Sequence, residues 1–250
     1  VHLLKITSSH QDRKKIYDLV RNSRLYDKQL QMDKVNASLS EASFELGRAC
    51  AFTPGWLENE SIWLHMEYKY LLEILKSGLY SEFLEDSHHA LVPFMDEEQY
   101  GRSLLENSSF LASSANPNPR YHGKGFVARL SGSTAEFLEI WRIMMFGRQP
   151  FEVVGDELIL KFAPCIPDYL IDEARRIEAK FMGTIPVEYE LESKENYIPG
   201  EYQVMSIEVI SDGRTYSFSD NIRGEMANKI RDGKAERIRV ALQKKTLRMP

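Results

Sequence analysis

Two hydrophobic periods divide the chain near Gly147. Before it, apolar positions recur at helical spacing. Ile16, Leu19 and Val20 fit one face of a helix that Ser8 or Ser9 can cap. From Ser61 to Ser77, apolar and aromatic residues spread over more than one face, through Ile62, Trp63, Leu64, Tyr68, Leu71 and Ile74. That spread predicts a helix buried on two sides, with Gly78 at its C-terminal cap. Another helix is predicted from Ser81 to about Leu91, where Pro93 stops it. Phe137, Ile140, Trp141 and Met144 form the stripe of a further helix that opens near Ser133 and ends at Gly147.

After Gly147 the period becomes two. Leu158, Leu160 and Phe162 alternate with Ile159 and Lys161, and Ile177, Ala179 and Phe181 with Glu178 and Lys180. Ile185, Val187, Tyr189 and Leu191 continue the alternation beyond Gly183. Ile207 and Val209 face Tyr216 and Phe218 across Ser211-Asp212-Gly213, a hairpin signal. Gly224 to Asp232 reads as a short helix, and Ile238, Val240 and Leu242 as a last strand. The pattern predicts a helical segment over 1–147 and an antiparallel β-sandwich over 148–250.

Composition narrows the function classes. The chain has 250 residues, 43% hydrophobic and 28% charged, as in an ordinary globular protein. A net charge of -5 argues against nucleic acid or an anionic membrane surface as the main partner. No run approaches the ~18 apolar residues of a membrane-spanning helix. The start lacks the basic-then-apolar pattern of a signal peptide. Cys50 and Cys165 lie far apart and read as free thiols in a reducing compartment, so a cytoplasmic location is expected. No Cys/His cluster has metal-ligand spacing. The chain opens on Val1 and runs straight into a helical pattern, so it is expected to be a piece of a longer polypeptide.

Candidate chemistry concentrates in two stretches. Leu105 to Trp141 is rich in small, polar and glycine residues and then opens a helix, a composition suited to lining a polar pocket. Within it, Arg129-Leu-Ser-Gly-Ser-Thr places backbone N–H groups and hydroxyls at a helix start, where an anion can bind. Ser133-Thr-Ala-Glu136 equally matches a capping box, in which Glu136 takes up those donors. In the second stretch, Pro54 to Leu72, His65 is either a ligand-contacting residue or a hydrogen-bonded core histidine. Trp56 and Trp63 can stack on sugar rings or simply fill the core. Glu106 and Asn107 can hold sugar hydroxyls or stand in a solvated loop. Asp86, His88 and His89 read as a helix surface, and no Ser/His/Asp order or P-loop is present.

Several of these segments, taken in order, resemble the cellobiose-phosphorylase-like glycoside phosphorylases, glycoside hydrolase family 94. Asn59-Glu-Ser-Ile-Trp-Leu-His65 is similar to the family's segment ending in a phosphate-contacting histidine. Leu105-Glu106-Asn-Ser-Ser-Phe-Leu resembles its loop with a glutamate at the acceptor-sugar subsite. Gly125-Phe-Val-Ala-Arg-Leu-Ser131-Gly132-Ser-Thr-Ala-Glu-Phe resembles its hydroxyl-glycine turn, which also holds phosphate. Phe162-Ala-Pro-Cys-Ile-Pro167 and Ile177-Glu-Ala-Lys-Phe-Met-Gly183 are similar to the strand pair after its catalytic barrel. The likeness runs from about Thr53 to Leu191. Ser131 stands where the family usually has Thr, and Asn107 where it usually has Pro.

The resemblance implies an α+β fragment: the last helices of an (α/α)6 barrel followed by a C-terminal antiparallel β-sandwich. It implies inverting phosphorolysis of a β-glucoside or β-glucan oligosaccharide to a sugar 1-phosphate, with inorganic phosphate as co-substrate and no other cofactor. His65, Ser131 and Gly132 would hold phosphate and Glu106 the acceptor sugar. No residue here matches the family's catalytic aspartate, so the general acid is expected upstream and the isolated chain inactive. Self-association, as a homodimer, is expected too. Two rival readings stay open. One is a hydrolase or transglycosylase. The other is a non-catalytic carbohydrate-binding module using exposed Tyr197, Tyr202 and Tyr216.

Overall fold

The computed structural model describes residues 1–127 and 132–245. The chain forms two compact units, Val1–Ile140 and Trp141–Pro250.

The first unit begins with helices α1 (His2–Ile6) and α2 (His10–Arg21). Ser9 caps α2 by accepting a hydrogen bond from the Asp12 amide at 3.3 Å. Its inward face turns on buried Tyr17, while Leu19, expected inside, is 71% exposed. A two-strand ribbon follows, β1 (Tyr26–Asp27) with β2 (Met32–Asp33). After a 3-10 stretch, strand β3 (Ile62–Trp63) leads into α3 (Leu64–Lys76), then α4 (Tyr80–Ala90) and α5 (Glu97–Tyr100). Strands β4 (Phe110–Leu111) and β5 (Gly125–Phe126) complete a small sheet of order β3-β4-β5. Helix α6 (Gly132–Phe146) runs from this unit into the next.

Helix α3 begins three residues later than Ser61 because Ile62 and Trp63 pair with Leu111 and Phe110 as extended backbone. It is otherwise as buried as its composition requires, with Tyr70 to Leu75 inside without interruption. Burial also takes in Glu67, and α4 buries Asp86, so the reading of Asp86 as helix surface is corrected. Arg21 makes this possible. Its guanidinium binds the Asp86 and Glu85 carboxylates and lies 4.1 Å over the Tyr26 ring.

The expected portion of an (α/α)6 barrel is not formed by the described residues. A ring of paired helices needs long helices throughout. Here α1 has 5 residues and α5 has 4. Between α2 and α3 the chain spends its length on turns, a ribbon and a 3-10 stretch that Gly47 interrupts at φ +83°.

The second unit holds strands β6 (Phe151–Val154), β7 (Glu157–Leu160), β8 (Arg176–Phe181), β9 (Ile185–Leu191), β10 (Tyr202–Ser211), β11 (Arg214–Phe218), β12 (Ile222–Arg223) and β13 (Arg237–Lys244), with α7 (Gly224–Arg231) before the last. The larger sheet has the order β11-β10-β13-β9-β8, and the smaller β12-β7-β6. Asp212 and Gly213 close the β10–β11 hairpin with φ of +53° and +67°, the left-handed pair a tight turn needs. The expected all-antiparallel β-sandwich is corrected. After β11 the chain crosses through β12 and α7, and β13 then inserts between β10 and β9, running parallel to β9. Inside, Phe181 meets Phe146, Phe151 and Phe162 at ring separations of 4.9, 5.7 and 5.5 Å. Outside, Arg237 reaches Glu178 at 3.3 Å and Arg239 reaches Glu188 at 3.5 Å. No helix among the described residues is long and apolar enough to cross a membrane.

Burial pushes Asp33 up to about 7 and Asp86 up to about 6, and Glu67 well above the ordinary carboxylate range. A carboxyl whose pKa is raised by folding stabilises the fold when protonated, and that contribution is lost as pH rises through the folded value. Thermal unfolding followed through Trp56 and Trp63 should therefore give a lower Tm at pH 8 than at pH 5. Asp33→Asn should flatten that slope, and an equal slope in the variant would assign the loss elsewhere.

Candidate functional site

The sheet β3-β4-β5 brings the two candidate stretches together. Trp63 pairs with Phe110, and the next amide, Leu64 N, donates to the Ser109 carbonyl at 3.2 Å. The start of α3 is thus tied to the loop that precedes α6. Ser109 N in turn donates to the Phe126 carbonyl at 3.1 Å. Two glycines permit this packing. A Cβ on Gly125 would lie 2.5 Å from Tyr100 Cε2 and closer still to Ser108 Oγ. Gly55, at φ +71°, carries its backbone so near Asn116 that a Cβ would meet that amide nitrogen at 2.5 Å.

His65 is the second residue of α3 and is half-buried. A Cβ placed on Gly132, the first residue of α6, would lie 3.4 Å from the His65 Cβ. Two residues distant in sequence, both expected at a phosphate, are therefore neighbours at the starts of two helices. The third, Ser131, lies outside the described residues, as does Arg129. Three buried polar atoms at this corner have no hydrogen-bond partner: His65 Nδ1, Ser109 Oγ and Ser133 Oγ. Ser133 is 1% exposed. Its hydroxyl makes no capping box with Glu136, so the bland reading of that motif does not hold in the structure. Nor is His65 a satisfied core histidine.

Burial lowers the His65 pKa, and Lys69 lowers it further, while the Glu136 carboxylate opposes both. The ring is therefore neutral near pH 7, with one nitrogen to donate and one to accept. Trp63 stands edge-on to it at 5.7 Å and is held by its own N–H bond to the Leu57 carbonyl at 2.8 Å. Trp63 also stacks on Phe110 at 5.8 Å. Trp56 packs against Phe126 at 4.4 Å and Phe110 at 5.2 Å. Both tryptophans thus build an aromatic cluster that backs the corner.

Glu106 sits differently. It is exposed, and its carboxylate takes a bond from Arg102 at 3.1 Å. Its neighbour Asn107 is the loop residue anchored to α3, accepting from the Tyr68 hydroxyl at 3.0 Å. Tyr68 lies one turn beyond His65. Asn107, expected with Glu106 at sugar hydroxyls, is thus engaged by α3, and Ser109 had no role of its own in the sequence. Their contribution is visible only once β4 is paired with β3.

The described residues contain no group of three or more His, Cys, Asp or Glu able to hold a metal ion. Tyr197 and Tyr202, expected on an exposed sugar-binding face, are buried at 0% and 7% exposure. Their hydroxyls serve the fold: Tyr202 donates to the Pro164 carbonyl at 2.7 Å, and Tyr197 accepts from the Glu192 amide at 2.8 Å. Only Tyr216 of the three is half-exposed, so that platform is absent. No protein-family model matches the chain, and no curated protein matches its sequence.

Gly125→Ala should cost about 1–3 kcal/mol of stability, because the added methyl group overlaps Ser108 and Tyr100. Denaturant unfolding measures it; a change below ~0.5 kcal/mol would show that the loop relaxes freely.

Proposed function

We propose that the corner between His65 and Gly132 binds inorganic phosphate, and that the chain is part of an inverting glycoside phosphorylase acting on β-linked glucose oligosaccharides. The observation that carries this reading is the contact distance between His65 and Gly132. Two motifs of the resemblance that share one ligand need that juxtaposition. The unpartnered His65 Nδ1, Ser109 Oγ and Ser133 Oγ support it, since a phosphate offers oxygens to all of them.

In this reading a phosphate oxygen forms a bond to the anomeric carbon as the glycosidic C–O bond breaks on the opposite face. A general acid protonates the departing oxygen. The nucleophile is already an anion, so no base is required. The role of His65 and the helix-start amides is to hold the phosphate against an electron-rich sugar. Glu106 is assigned to the acceptor sugar, which requires exchanging its partner Arg102 for sugar hydroxyls. No residue of the chain is assigned the general-acid role. Phosphorolysis is preferred to hydrolysis because the corner supplies imidazole and hydroxyl groups that can bond an anion.

Titration calorimetry of phosphate against the chain, with a β-glucan oligosaccharide present, checks the proposal. Binding is expected, weakened at least tenfold in His65→Ala and abolished in Gly132→Leu, whose side chain would enter the corner. Bound phosphate should raise the His65 pKa, so affinity should increase as pH falls from 8 toward 6. Equal affinity in His65→Ala and the parent, or no binding at any pH, would overturn the reading.

A further inference from the structure

Helix α3 turns its other face toward a separate cavity of about 200 Å³ in the first unit. Its lining combines the apolar side chains of Val20, Leu25, Val35 and Met66 with Asp33, Glu67 and Tyr70. Tyr70 is 7% exposed, yet its hydroxyl has no hydrogen-bond partner, and neither has Asp33 Oδ1. Glu67 is 4% exposed and accepts one bond, from the Asp33 amide at 3.2 Å. Two carboxyl groups and a phenol thus line the cavity, with Asp33 Oδ1 and the Tyr70 hydroxyl left without partners.

The neighbouring cations are engaged elsewhere. Arg21 is bonded to Asp86 and Glu85. Lys34, at the cavity edge, is bonded to Glu60 at 2.8 Å. Lys5 reaches Glu73 at 3.7 Å. Burial, with the nearby Asp86 charge, holds Asp33 well above the ordinary carboxylate range, and the Arg21 charge offsets this only in part. Val1 also lines the cavity.

We propose that this cavity is a binding site for a primary alkylammonium group. The three N–H donors of such a group match the acceptors of Asp33 Oδ1, Glu67 and Tyr70 Oη, and the alkyl chain lies along the apolar side chains. Other ligand classes fit worse. An anion meets two carboxyl groups, and a neutral alcohol leaves them uncompensated. A quaternary ammonium offers no N–H donor to the unpartnered atoms. A metal ion lacks a third acidic or imidazole ligand. The site does not rest on the phosphorylase reading, since it occupies a different face of α3 from His65.

The test is calorimetric titration of n-butylammonium chloride into the full chain. Saturable binding is expected. Tyr70→Phe keeps the ring and removes only the unpartnered hydroxyl, and Glu67→Gln keeps the shape and removes the capacity to ionise against a bound cation. Each should weaken binding about tenfold while the unfolding transition remains cooperative. Tetramethylammonium should bind at least tenfold more weakly than n-butylammonium. Absence of binding would overturn the proposal. So would equal affinity in both variants and the parent, or equal affinity for the two cations, which would reduce the site to diffuse charge attraction.

Discussion

The hydrogen bond from the Leu64 amide to the Ser109 carbonyl, with the short strand pairing around it, is the constraint on which the first unit's candidate site depends. It ends the extended backbone of Ile62–Trp63, starts α3, and places the loop before α6 beside the first turn of that helix. Without it, His65 and Gly132 are only two polar-helix starts in one chain. Tight backbone approach at Gly55 and Gly125 serves the same purpose, because a side chain at either position would push the loop away. A strand pair this short is not stable alone. The aromatic cluster of Trp56, Phe110 and Phe126 supplies the apolar burial that holds it.

Helix α3 carries polar groups on two faces, and both depart from what a buried helix usually tolerates. His65 and its neighbours retain unpartnered donors and acceptors, as do Asp33 and Tyr70 on the opposite side. Buried polar atoms without partners are costly, on the order of 1–3 kcal/mol each. Chains accumulate them where a ligand, rather than the fold, completes the bonding. Arg21 and Asp86 show the contrasting case: a buried charge fully engaged, with aromatic rings around it, needs nothing further.

The second unit follows a different logic. Its larger sheet buries one apolar face and ladders charges across the other, through Glu178, Arg237, Glu188, Arg239 and Glu208. Tyr189, Tyr197 and Tyr202 are buried and bond backbone groups, while Tyr216 is half-exposed. The exposed platform expected of Tyr197 and Tyr202 is therefore not formed.

Local features were legible from residue order. Ser9 capping α2, the hairpin at Asp212-Gly213, the alternation in β8, β9 and β13, and the helical spans of α4 and α6 each depend on neighbours within one turn or one strand. The deep burial of α3 was legible too, because its apolar residues cover more than one face. What residue order could not supply were relations between distant segments. Parallel pairing of β13 with β9, the absence of paired barrel helices, and the inward turn of Tyr197, Tyr202 and Asp86 depend on which element packs against which. The same holds for the site. His65 and Gly132 were named from their own surroundings, but their contact, and the roles of Asn107, Ser109, Asp33 and Glu67, exist only across tertiary neighbours. Periodicity encodes which side of an element is apolar; it carries no record of which polar group will lie opposite it.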